Sequence, residues 1–352
     1  MLTNFSIAKS HNPKRFLRAG LAGALVLGLV NCALERNWQF TPAVFSLSQS
    51  GDSILIITQN GELLVSENRG LKWEKPQISF QGAFLCVASI DRRRSWGVTG
   101  LGAVVNSTDG GWTWAELSRL QYDGESFAGP FNQVVFLDDL HGWIVDPFSI
   151  WRTEDGGKNW RRYFPAEKSD PLTGDPQRCH FIDASNGWLC GTNGIVYITI
   201  DGGKTWRARR VTGQDTDLKD VFFLDKEKGW AGGSPSGGLY RTNDGGETWQ
   251  PAILPAERIG IFSVYFSSAN EGWAVGSQRS GADPSEVKAR GIVLHTIDGG
   301  DNWKLIAAPA EELLYHDVSF SSVLRGWLVG SSAAYQTDNG GRSWVTIWTV
   351  SR

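Results

Sequence analysis

The sequence lacks a dominant charge of either sign. Its 34 Lys and Arg residues stand against 37 Asp and Glu, a formal net charge of −3 at pH 7, and no obvious basic footprint occurs along the chain. Nucleic acids bind through phosphates that demand such a footprint, so we expect no nucleic-acid partner. The apolar run Ala19–Val30 has about 12 residues, whereas a membrane-spanning helix needs about 20.

Residues that commonly carry catalysis or bind metals are also few. The seven tyrosines include none in a recognisable nucleophile motif. The five histidines show neither metal-ligand nor catalytic-triad spacing; they are His11, His141, His180, His295 and His316. We therefore predict no catalytic residue, no metal site and no cofactor.

The N-terminal 31 residues differ from the rest of the chain. Basic residues such as Arg15 and Arg18 precede the run Ala19–Val30, and no acidic residue occurs before Glu35. This is the pattern of a secretory signal. The following "LVNC" resembles a lipobox, in which Cys32 becomes the lipidated N-terminus. Because a small residue usually stands where this chain has asparagine, an ordinary signal peptide or uncleaved anchor with an incidental cysteine is the alternative.

These features divide the chain into a signal at residues 1–31, a short linker at 32–39 and one folded domain at 40–352. We expect the protein to be exported and held at a membrane through its N-terminus. It would then face a periplasm, a thylakoid lumen or the cell exterior.

Glycine and tryptophan are abundant, with 42 and 17 residues, and many belong to a repeated octapeptide. Seven copies occur at intervals of roughly 40 to 55 residues, a period typical of architectures in which each repeat is one small supersecondary unit. The copies are "SENRGLKW" (66–73), "STDGGWTW" (107–114), "TEDGGKNW" (153–160), "TIDGGKTW" (199–206), "TNDGGETW" (242–249), "TIDGGDNW" (296–303) and "TDNGGRSW" (337–344).

Each repeat is predicted to form four short antiparallel strands. A second motif, such as "GWLVG" at residues 326–330, precedes six of the octapeptides, and an alternating strand lies upstream of it. In the fifth repeat we expect strands at Asp220–Asp225, Gly229–Gly233, Gly238–Thr242 and Thr248–Leu254. Seven such sheets would aggregate through their edges unless they closed radially. The predicted fold is therefore all-β, a seven-bladed β-propeller, with the manner of ring closure left open.

The octapeptide resembles the Asp-box, Ser/Thr-x-Asp-x-Gly-x-x-Trp, also called the bacterial neuraminidase repeat. It occupies the turn between the third and fourth strands of a blade. In the fifth copy the Asp244 carboxylate can accept hydrogen bonds from backbone N–H groups of its own turn, Gly245 and Gly246 tolerate a positive φ, and Trp249 packs beneath. Structural Asp-box roles are predicted for Asn68, Asp109, Asp155, Asp201, Asp244, Asp298 and Asp338. In the last copy Asn339 follows Asp338, which suggests a shifted turn.

The boxes mark one face of the predicted ring, here named the Asp-box face, which also carries the loops between first and second strands. The opposite face, here named the connection face, carries the second-to-third loops and the links between blades. Long irregular loops carry binding sites more often than short turns. The connection face therefore offers the better binding candidates.

Seven basic residues are candidate partner-binding residues, since arginine in particular forms bidentate contacts with acidic partners or lipid headgroups. The alternative for each is a solvated surface charge. They are Arg279, Lys288 and Arg290 in the longest insertion, Arg178 before the fourth blade, and Arg92, Arg93 and Arg94 in a turn on the Asp-box face.

Two cysteines of the fourth repeat, Cys179 and Cys190, occupy strand positions where other repeats have valine. If Phe181 faces Trp188 across the hairpin, the cysteines lie directly opposite each other. That arrangement allows a disulfide in an exported protein. Two buried thiols that act as small hydrophobes fit the pattern equally well.

From Trp38 to Trp348 the chain resembles the photosystem II stability/assembly factor family of cyanobacteria and plastids. The resemblance rests on the exported N-terminus, the seven blades and the pairing of "GWLVG" with Asp-box segments. It implies a non-catalytic protein that binds newly made subunits of a membrane protein complex and assists their assembly. We expect such a protein to be monomeric.

Sialidases share the Asp-box propeller and provide the rival prediction, a carbohydrate-binding or glycoside-hydrolase propeller. Resemblance to them would require an arginine triad that begins with an Arg-Ile-Pro type motif before the first box. No arginine occurs between Arg36 and Arg69, and "ERIG" at residues 257–260 lacks the proline and comes late. We therefore expect a binding protein rather than an enzyme.

Overall fold

The computed structural model describes residues 44–58, 60–165, 172–213, 216–234, 238–280 and 288–349. All regular structure in these residues is β-strand, arranged as seven consecutive blades. The predicted all-β, seven-bladed propeller is confirmed. No helix in the described part of the chain is long and apolar enough to cross a membrane. The predicted signal, the linker and Cys32 lie outside the described residues.

The first two blades are the least regular. Blade 1 contains β1 (Val44–Ser50), β2 (Ser53–Thr58) and β3 (Leu63–Ser66), and a single bridge between Val65 and Glu74 stands in place of its predicted fourth strand. The link to blade 2 forms β4 (Gln77–Ile78). Blade 2 contains β5 (Phe84–Ser89), β6 (Ser95–Thr99), β7 (Ala103–Ser107) and β8 (Thr113–Arg119). Strand β4 pairs in parallel with β8, and a hairpin of β9 (Gln121–Tyr122) and β10 (Glu125–Ser126) follows.

Blades 3 to 7 each contain four antiparallel strands in sequence order. Their strands are β11 (Gln133–Phe136), β12 (Gly142–Asp146), β13 (Ser149–Thr153) and β14 (Arg161–Tyr163); β15 (Pro176–Phe181), β16 (Gly187–Gly191), β17 (Ile195–Thr199) and β18 (Arg207–Arg210); β19 (Asp217–Phe223), β20 (Gly229–Ser234), β21 (Gly238–Thr242) and β22 (Gln250–Pro251); β23 (Ile259–Phe266), β24 (Gly272–Ser280), β25 (Lys288–Thr296) and β26 (Lys304–Ile306); and β27 (Tyr315–Phe320), β28 (Gly326–Gly330), β29 (Ala333–Thr337) and β30 (Val345–Thr349). The predicted strand Thr248–Leu254 is thus reduced to two residues.

A tryptophan of the second strand joins each of blades 2 to 6 to the blade that follows. Trp143 of β12 stacks on Phe181 of β15 with ring centroids 3.7 Å apart, and its Nε1 donates a hydrogen bond to the Gly202 carbonyl oxygen at 2.8 Å. Gly202 belongs to the Asp-box of blade 4, so the octapeptide holds its neighbour as well as its own turn. The other tryptophan–glycine pairs are Trp96–Gly156, Trp188–Gly245, Trp230–Gly299 and Trp273–Gly340.

The glycine of the Gly-Trp motif makes room for this joint. A Cβ atom on Gly187 would lie 2.3 Å from the ring of Phe181, far inside van der Waals contact. The same ring meets Trp206, the closing tryptophan of the box, edge to face at 6.1 Å. Gly-Trp and Asp-box therefore recur in phase because both contribute to one packing unit.

Side-chain packing closes the ring between blades 7 and 1, and no strand of blade 1 pairs with one of blade 7 in the described residues. Ile54 of blade 1 packs with Trp327 of blade 7, and Trp73 Nε1 donates to the Ile347 carbonyl oxygen at 2.7 Å. This joint lacks the hydrogen bond of the others, since the buried Trp327 Nε1 has no partner among the described residues. In the box of blade 1, Arg69 stands where the other boxes have their first glycine, the residue whose carbonyl oxygen accepts the tryptophan hydrogen bond at the other joints.

The two cysteines of blade 4 are free thiols on different faces of the sheet. Cys179 pairs with Leu189, and Cys190 pairs with Arg178, so the register assumed for a disulfide is wrong by one residue. Because side chains alternate along a strand, Cys179 packs toward blade 3 and Cys190 toward blade 5. Burial raises the pKa of the Cys190 thiol to about 12.

Candidate functional site

The carboxylate of the Asp-box is used within its own turn. Asp244 Oδ1 accepts hydrogen bonds from the Thr242 hydroxyl at 2.7 Å and the Thr248 backbone N–H at 2.9 Å, and Oδ2 accepts the Thr248 hydroxyl at 2.5 Å. Hydrogen bonds from Asn302 lower the pKa of the equivalent Asp298 to about 2. These carboxylates are therefore ionised and already hydrogen-bonded, a state suited to holding a turn.

The first and last boxes use asparagine in the same place. Asn68 Oδ1 accepts the Ser66 hydroxyl at 3.0 Å, and Asn339 Oδ1 accepts the Thr337 hydroxyl at 2.9 Å. The predicted box role of Asp338 is therefore wrong, and the turn is not shifted. Asp338 instead accepts a hydrogen bond from Arg325 Nε at 3.1 Å.

An arginine cluster lies on the Asp-box face where blades 7, 1 and 2 meet. Three guanidinium groups surround the Asp52 carboxylate: Arg69 at 2.9 Å, Arg325 at 3.2 Å and Arg92 at 3.8 Å. The Arg92 side chain is 68% exposed, and its nearest carboxylate is shared with two other arginines. Asp52 alone does not neutralise the three arginines, and Asp338 is a second carboxylate on Arg325.

Arg93 and Arg94, in the same turn as Arg92, differ in whether their side chains form ion pairs. Arg94 forms ion pairs with Asp91 and Asp139, and its side chain lowers the pKa of Asp91 to about 2. Arg93 is exposed, and its backbone N–H donates to Asp91 Oδ1 at 2.8 Å. Arg92 and Arg93 are thus the exposed arginines of this turn, whereas Arg94 holds the turn through Asp91 and Asp139.

The longest insertion is not an irregular loop throughout. Strands β24 and β25 continue into it as a hairpin, with Gln278 paired to Arg290 and Arg279 to Ala289. Lys288 begins β25 and is exposed, as is Arg290. Residues 281–287, at the tip, lie outside the described residues. Arg279, Lys288 and Arg290 thus lie on one hairpin, here named the basic ribbon, on the connection face of blade 6, away from the arginine cluster. By strand alternation Lys288 and Arg290 share one side of this hairpin and Arg279 lies on the other.

Arg178 lies in strand β15 at the centre of the ring, so its predicted place in a surface loop is wrong. Its Nη1 is 3.5 Å from Asp317 Oδ1 of blade 7 and 4.0 Å from Asp220 Oδ1 of blade 5. A contact between blades 4 and 7 can form only across the centre of the ring. Ser263 of blade 6 joins this network by donating to Asp317 Oδ1 at 3.0 Å.

The same central residues bind the inner strands of neighbouring blades to one another. Asp220 Oδ2 accepts the Val264 N–H at 2.9 Å, and burial raises the pKa of Asp220 to about 6 although Arg178 opposes the shift. Sequence reasoning missed this network. In the sequence, a polar residue stands directly before the buried valine or cysteine of the first strand in five blades, and this pattern could have indicated the network. These residues are Gln133, Arg178, Asp220, Ser263 and Asp317.

A second unpredicted cluster surrounds Arg162 on the connection face of blade 3. Its guanidinium lies over four aromatic rings at 4.4 to 5.2 Å from their centroids, those of Tyr122, Phe127, Trp151 and Phe164. Arg162 Nη2 also contacts the fully buried Asp146 carboxylate at 3.1 Å. Cation–π contacts and a buried ion pair hold this group rigidly, and the cluster links the β9–β10 hairpin to blade 3.

No part of the described chain gathers three or more potential metal ligands among His, Cys, Asp and Glu. An open groove of about 450 Å³ lies at the outer edge of blade 2, where β4 meets β7 and β8. Its walls include Gln77, Asn106 and Trp114 but no ionisable side chain. The groove therefore offers no group for general acid–base chemistry.

A family model for the photosystem II assembly factor Ycf48 matches residues 65–214, 167–251 and 212–311. These segments together extend over well more than half of the chain. The chain belongs to the Ycf48 family of photosystem II assembly factors. The predicted family is thereby confirmed.

Two curated relatives are similar over shorter stretches. The photosystem II assembly lipoprotein Ycf48 of Synechococcus sp. (strain CC9902) is 30% identical over 139 residues, 39% of this chain and 39% of the relative. The chloroplastic photosystem II stability/assembly factor HCF136 of Arabidopsis thaliana is 29% identical over 106 residues, 30% of this chain and 25% of the relative. The matches thus span about two fifths and one quarter of the length of these relatives.

Solved structures share the fold at low identity. Ycf48 bound to a D1 peptide matches with a TM-score of 0.56 and 22% identity, covering 77% of this chain and 83% of that one. The GH74 xyloglucanase of Xanthomonas campestris matches with a TM-score of 0.63 and 13% identity, covering 88% of this chain and 56% of that one. Both similarities support the propeller fold alone.

Proposed function

We propose that this protein is a non-catalytic binding propeller that assists the assembly of a photosystem II type membrane protein complex. Membership in the Ycf48 family is the observation that carries the proposal. The geometry agrees with it, because the repeated carboxylates are occupied by their own turns and the side chains of Arg92 and Arg93 are exposed. An exposed, positively charged surface suits the recognition of an acidic protein segment.

The proposed partner is a peptide segment of a photosystem II subunit, of which the D1 peptide bound to a Ycf48 relative is the example. Arg92 and Arg93 would supply the first contacts, with Arg94 holding their turn. The basic ribbon of Arg279, Lys288 and Arg290 is the second candidate surface. Arg178 is proposed to act inside the ring, since it already spans the centre between Asp220 and Asp317.

We further propose that the mature protein is a monomer held at the membrane through Cys32, with residues 1–31 removed and the propeller beginning near residue 40. The relative from Synechococcus bears the word lipoprotein in its name, which supports lipidation. Mass spectrometry of the mature N-terminus tests it: a diacylated Cys32 is expected, and an unmodified or uncleaved terminus would contradict it.

A carbohydrate-binding or hydrolytic propeller is the alternative, because a GH74 enzyme shares the fold. The arginine cluster favours the peptide partner. Binding of a fluorescent D1 peptide to the full-length protein in detergent is the deciding measurement, with Arg92→Ser/Arg93→Ser compared to Lys158→Ser/Lys204→Ser on the same face. We expect the arginine variant to bind the peptide at least about tenfold more weakly than the parent protein, a loss of about 1.4 kcal/mol in binding free energy. The lysine variant is expected to bind it as tightly as the parent does. Equal affinities, or glycan binding by the parent protein, would refute the assignment.

A further inference from the structure

Four apolar side chains are exposed on the connection face of blades 2 and 3, and the rings of two of them, Tyr122 and Phe164, meet edge to face at 6.4 Å. Leu101 is 49% exposed, Tyr122 44%, Phe148 61% and Phe164 53%. We name these four residues the aromatic patch. The exposed aliphatic residues of the Asp-box face stand one or two to a blade, as on most soluble proteins. A group of exposed apolar side chains in one region of the surface, by contrast, is typical of an interaction site.

The patch is held in a fixed shape by polar contacts beneath it. The guanidinium of Arg162 lies 4.8 Å from the centroid of Tyr122 and 5.1 Å from that of Phe164. The Phe148 backbone N–H donates to Asp146 Oδ1 at 2.7 Å, and Asp146 in turn contacts Arg162. One buried arginine thus organises three of the four residues, which lowers the entropy lost when the patch binds.

The direction from which the chain enters the propeller places a membrane beside this face. The first strand of a blade starts where its second strand ends, since Gln133 at the start of β11 pairs with Val145 near the end of β12. By the same topology β1 starts on the connection face, at Val44. Residues 32–43, which precede it, span at most about 40 Å when fully extended. An anchor at Cys32 would therefore limit the distance between the start of β1 and the bilayer to about 40 Å.

We propose that the aromatic patch rests on the lipid bilayer, so that the tethered propeller docks with its connection face on the membrane and its Asp-box face free. The inference depends on the membrane tether proposed above. Tyrosine and phenylalanine suit the boundary between headgroups and acyl chains. The exposed charges around the patch, Arg161, Asp123 and Glu125, are of mixed sign. Docking at the patch itself is therefore driven by apolar contact. The basic ribbon of blade 6, on the same face, would add attraction only to anionic lipids.

Hydrogen–deuterium exchange of the full-length protein tests the orientation. The protein is reconstituted into pure phosphatidylcholine vesicles and compared with the same protein in detergent. We expect amides at residues 99–102 and 146–149 to exchange about threefold more slowly in vesicles, as they would with the patch docked two thirds of the time. Asp-box turns, for example at residues 199–206, are expected to exchange at the same rate in both conditions.

Two matched triple variants assign the protection to side chains. Tyr122→Ser/Phe148→Ser/Phe164→Ser is expected to abolish it, while Leu140→Ser/Ile200→Ser/Ile297→Ser on the Asp-box face preserves it. Slow exchange of the β12 amides shows that each variant is folded; if the patch variant is not, Phe148→Ser alone replaces it.

Three outcomes would overturn the proposal: equal protection of both faces, protection that survives in the patch variant, or protection that requires added membrane proteins. The last would assign the patch to a protein partner. None of these outcomes alters the peptide affinity of the arginine cluster, so the docking proposal can fail while the proposed function stands.

Discussion

The inter-blade tryptophan joint predicts how much one hydrogen bond adds to the propeller. Trp143 is fully buried, stacks on Phe181 and donates to the Gly202 carbonyl oxygen of the next blade at 2.8 Å. Trp327 occupies the equivalent position at the closing joint, is also buried, and has no partner for its Nε1 in the described residues. The same change, tryptophan to phenylalanine, therefore removes a hydrogen bond at one joint and none at the other.

The expected losses follow from burial and hydrogen bonding. Either substitution deletes part of an indole from a packed interior, which costs about 1–2 kcal/mol through lost contacts and a residual cavity. Trp143→Phe also leaves a carbonyl oxygen without its donor, which costs about a further 1–3 kcal/mol. Trp327→Phe removes an unpartnered buried donor, so this second cost is absent. Trp143→Phe should therefore destabilise the protein by about 2–5 kcal/mol and Trp327→Phe by about 1–2 kcal/mol.

Equilibrium unfolding in urea, followed by circular dichroism, measures both values. The midpoints can be converted to free energies of unfolding only if the slope of the free energy of unfolding against urea concentration is the same in the variants and the parent. Trp188→Phe, at another joint with the hydrogen bond, serves as a replicate and should resemble Trp143→Phe. Equal losses at the three positions, or a greater loss at Trp327, would refute the argument that the Asp-box acts as an inter-blade acceptor.

Three further predictions concern an Asp-box turn, the carboxylate at the centre of the ring and the cysteines of blade 4. Asp244→Asn should cost less than about 0.5 kcal/mol and Asp244→Ala about 1–2 kcal/mol in thermal or urea unfolding, because asparagine already fills this position at Asn339; equal costs would contradict the turn chemistry. Burial raises the pKa of Asp220 to about 6, above the ordinary 3.8, so its charge destabilises the fold at neutral pH and this penalty fades as pH falls through 6 toward 4. The free energy of unfolding of Asp220→Asn, taken relative to that of the parent, should therefore increase by up to about 3 kcal/mol between pH 4 and pH 7.5. A pH-independent difference would count against the buried charge. Iodoacetamide should label Cys179 and Cys190 only after unfolding, and a reductant should leave the urea midpoint unchanged; a mobility shift on reduction would reveal a disulfide instead.

The blade architecture could be predicted from sequence because its signals are local and repeated. The octapeptide and the Gly-Trp motif each occupy a few consecutive residues, and their common period shows that they belong to one unit. The spacing could not reveal that Trp143 reaches Gly202 of the next blade, because this contact crosses a blade boundary. A glycine next to tryptophan is explained only by the phenylalanine ring that packs over Gly187.

Register and irregularity set the limit of the sequence prediction. The hairpin between β15 and β16 pairs Phe181 with Gly187 rather than with Trp188, and residues 178–181 follow this register without interruption. The expected alignment of Cys179 with Cys190 failed for this reason, since a slip of one residue changes every facing partner. Arg178 likewise looked like the end of a surface loop, whereas the strand carries it to the centre of the ring and to Asp317, 139 residues away.

The two faces of the propeller differ in how freely their loops can vary. Inter-blade joints lie at the Asp-box end, where tryptophan, phenylalanine and the box of the next blade must meet within a few ångströms, so a change in loop length there would separate a donor from its acceptor. Among the described residues, the hairpins at the connection end contribute to no tryptophan–Asp-box joint of this kind. The long β24–β25 ribbon and the β9–β10 hairpin both extend from that end. Function is therefore expected to vary among related propellers chiefly through connection-face loops, while Asp-box-face sites depend on side chains such as Arg92 displayed on turns of nearly fixed shape.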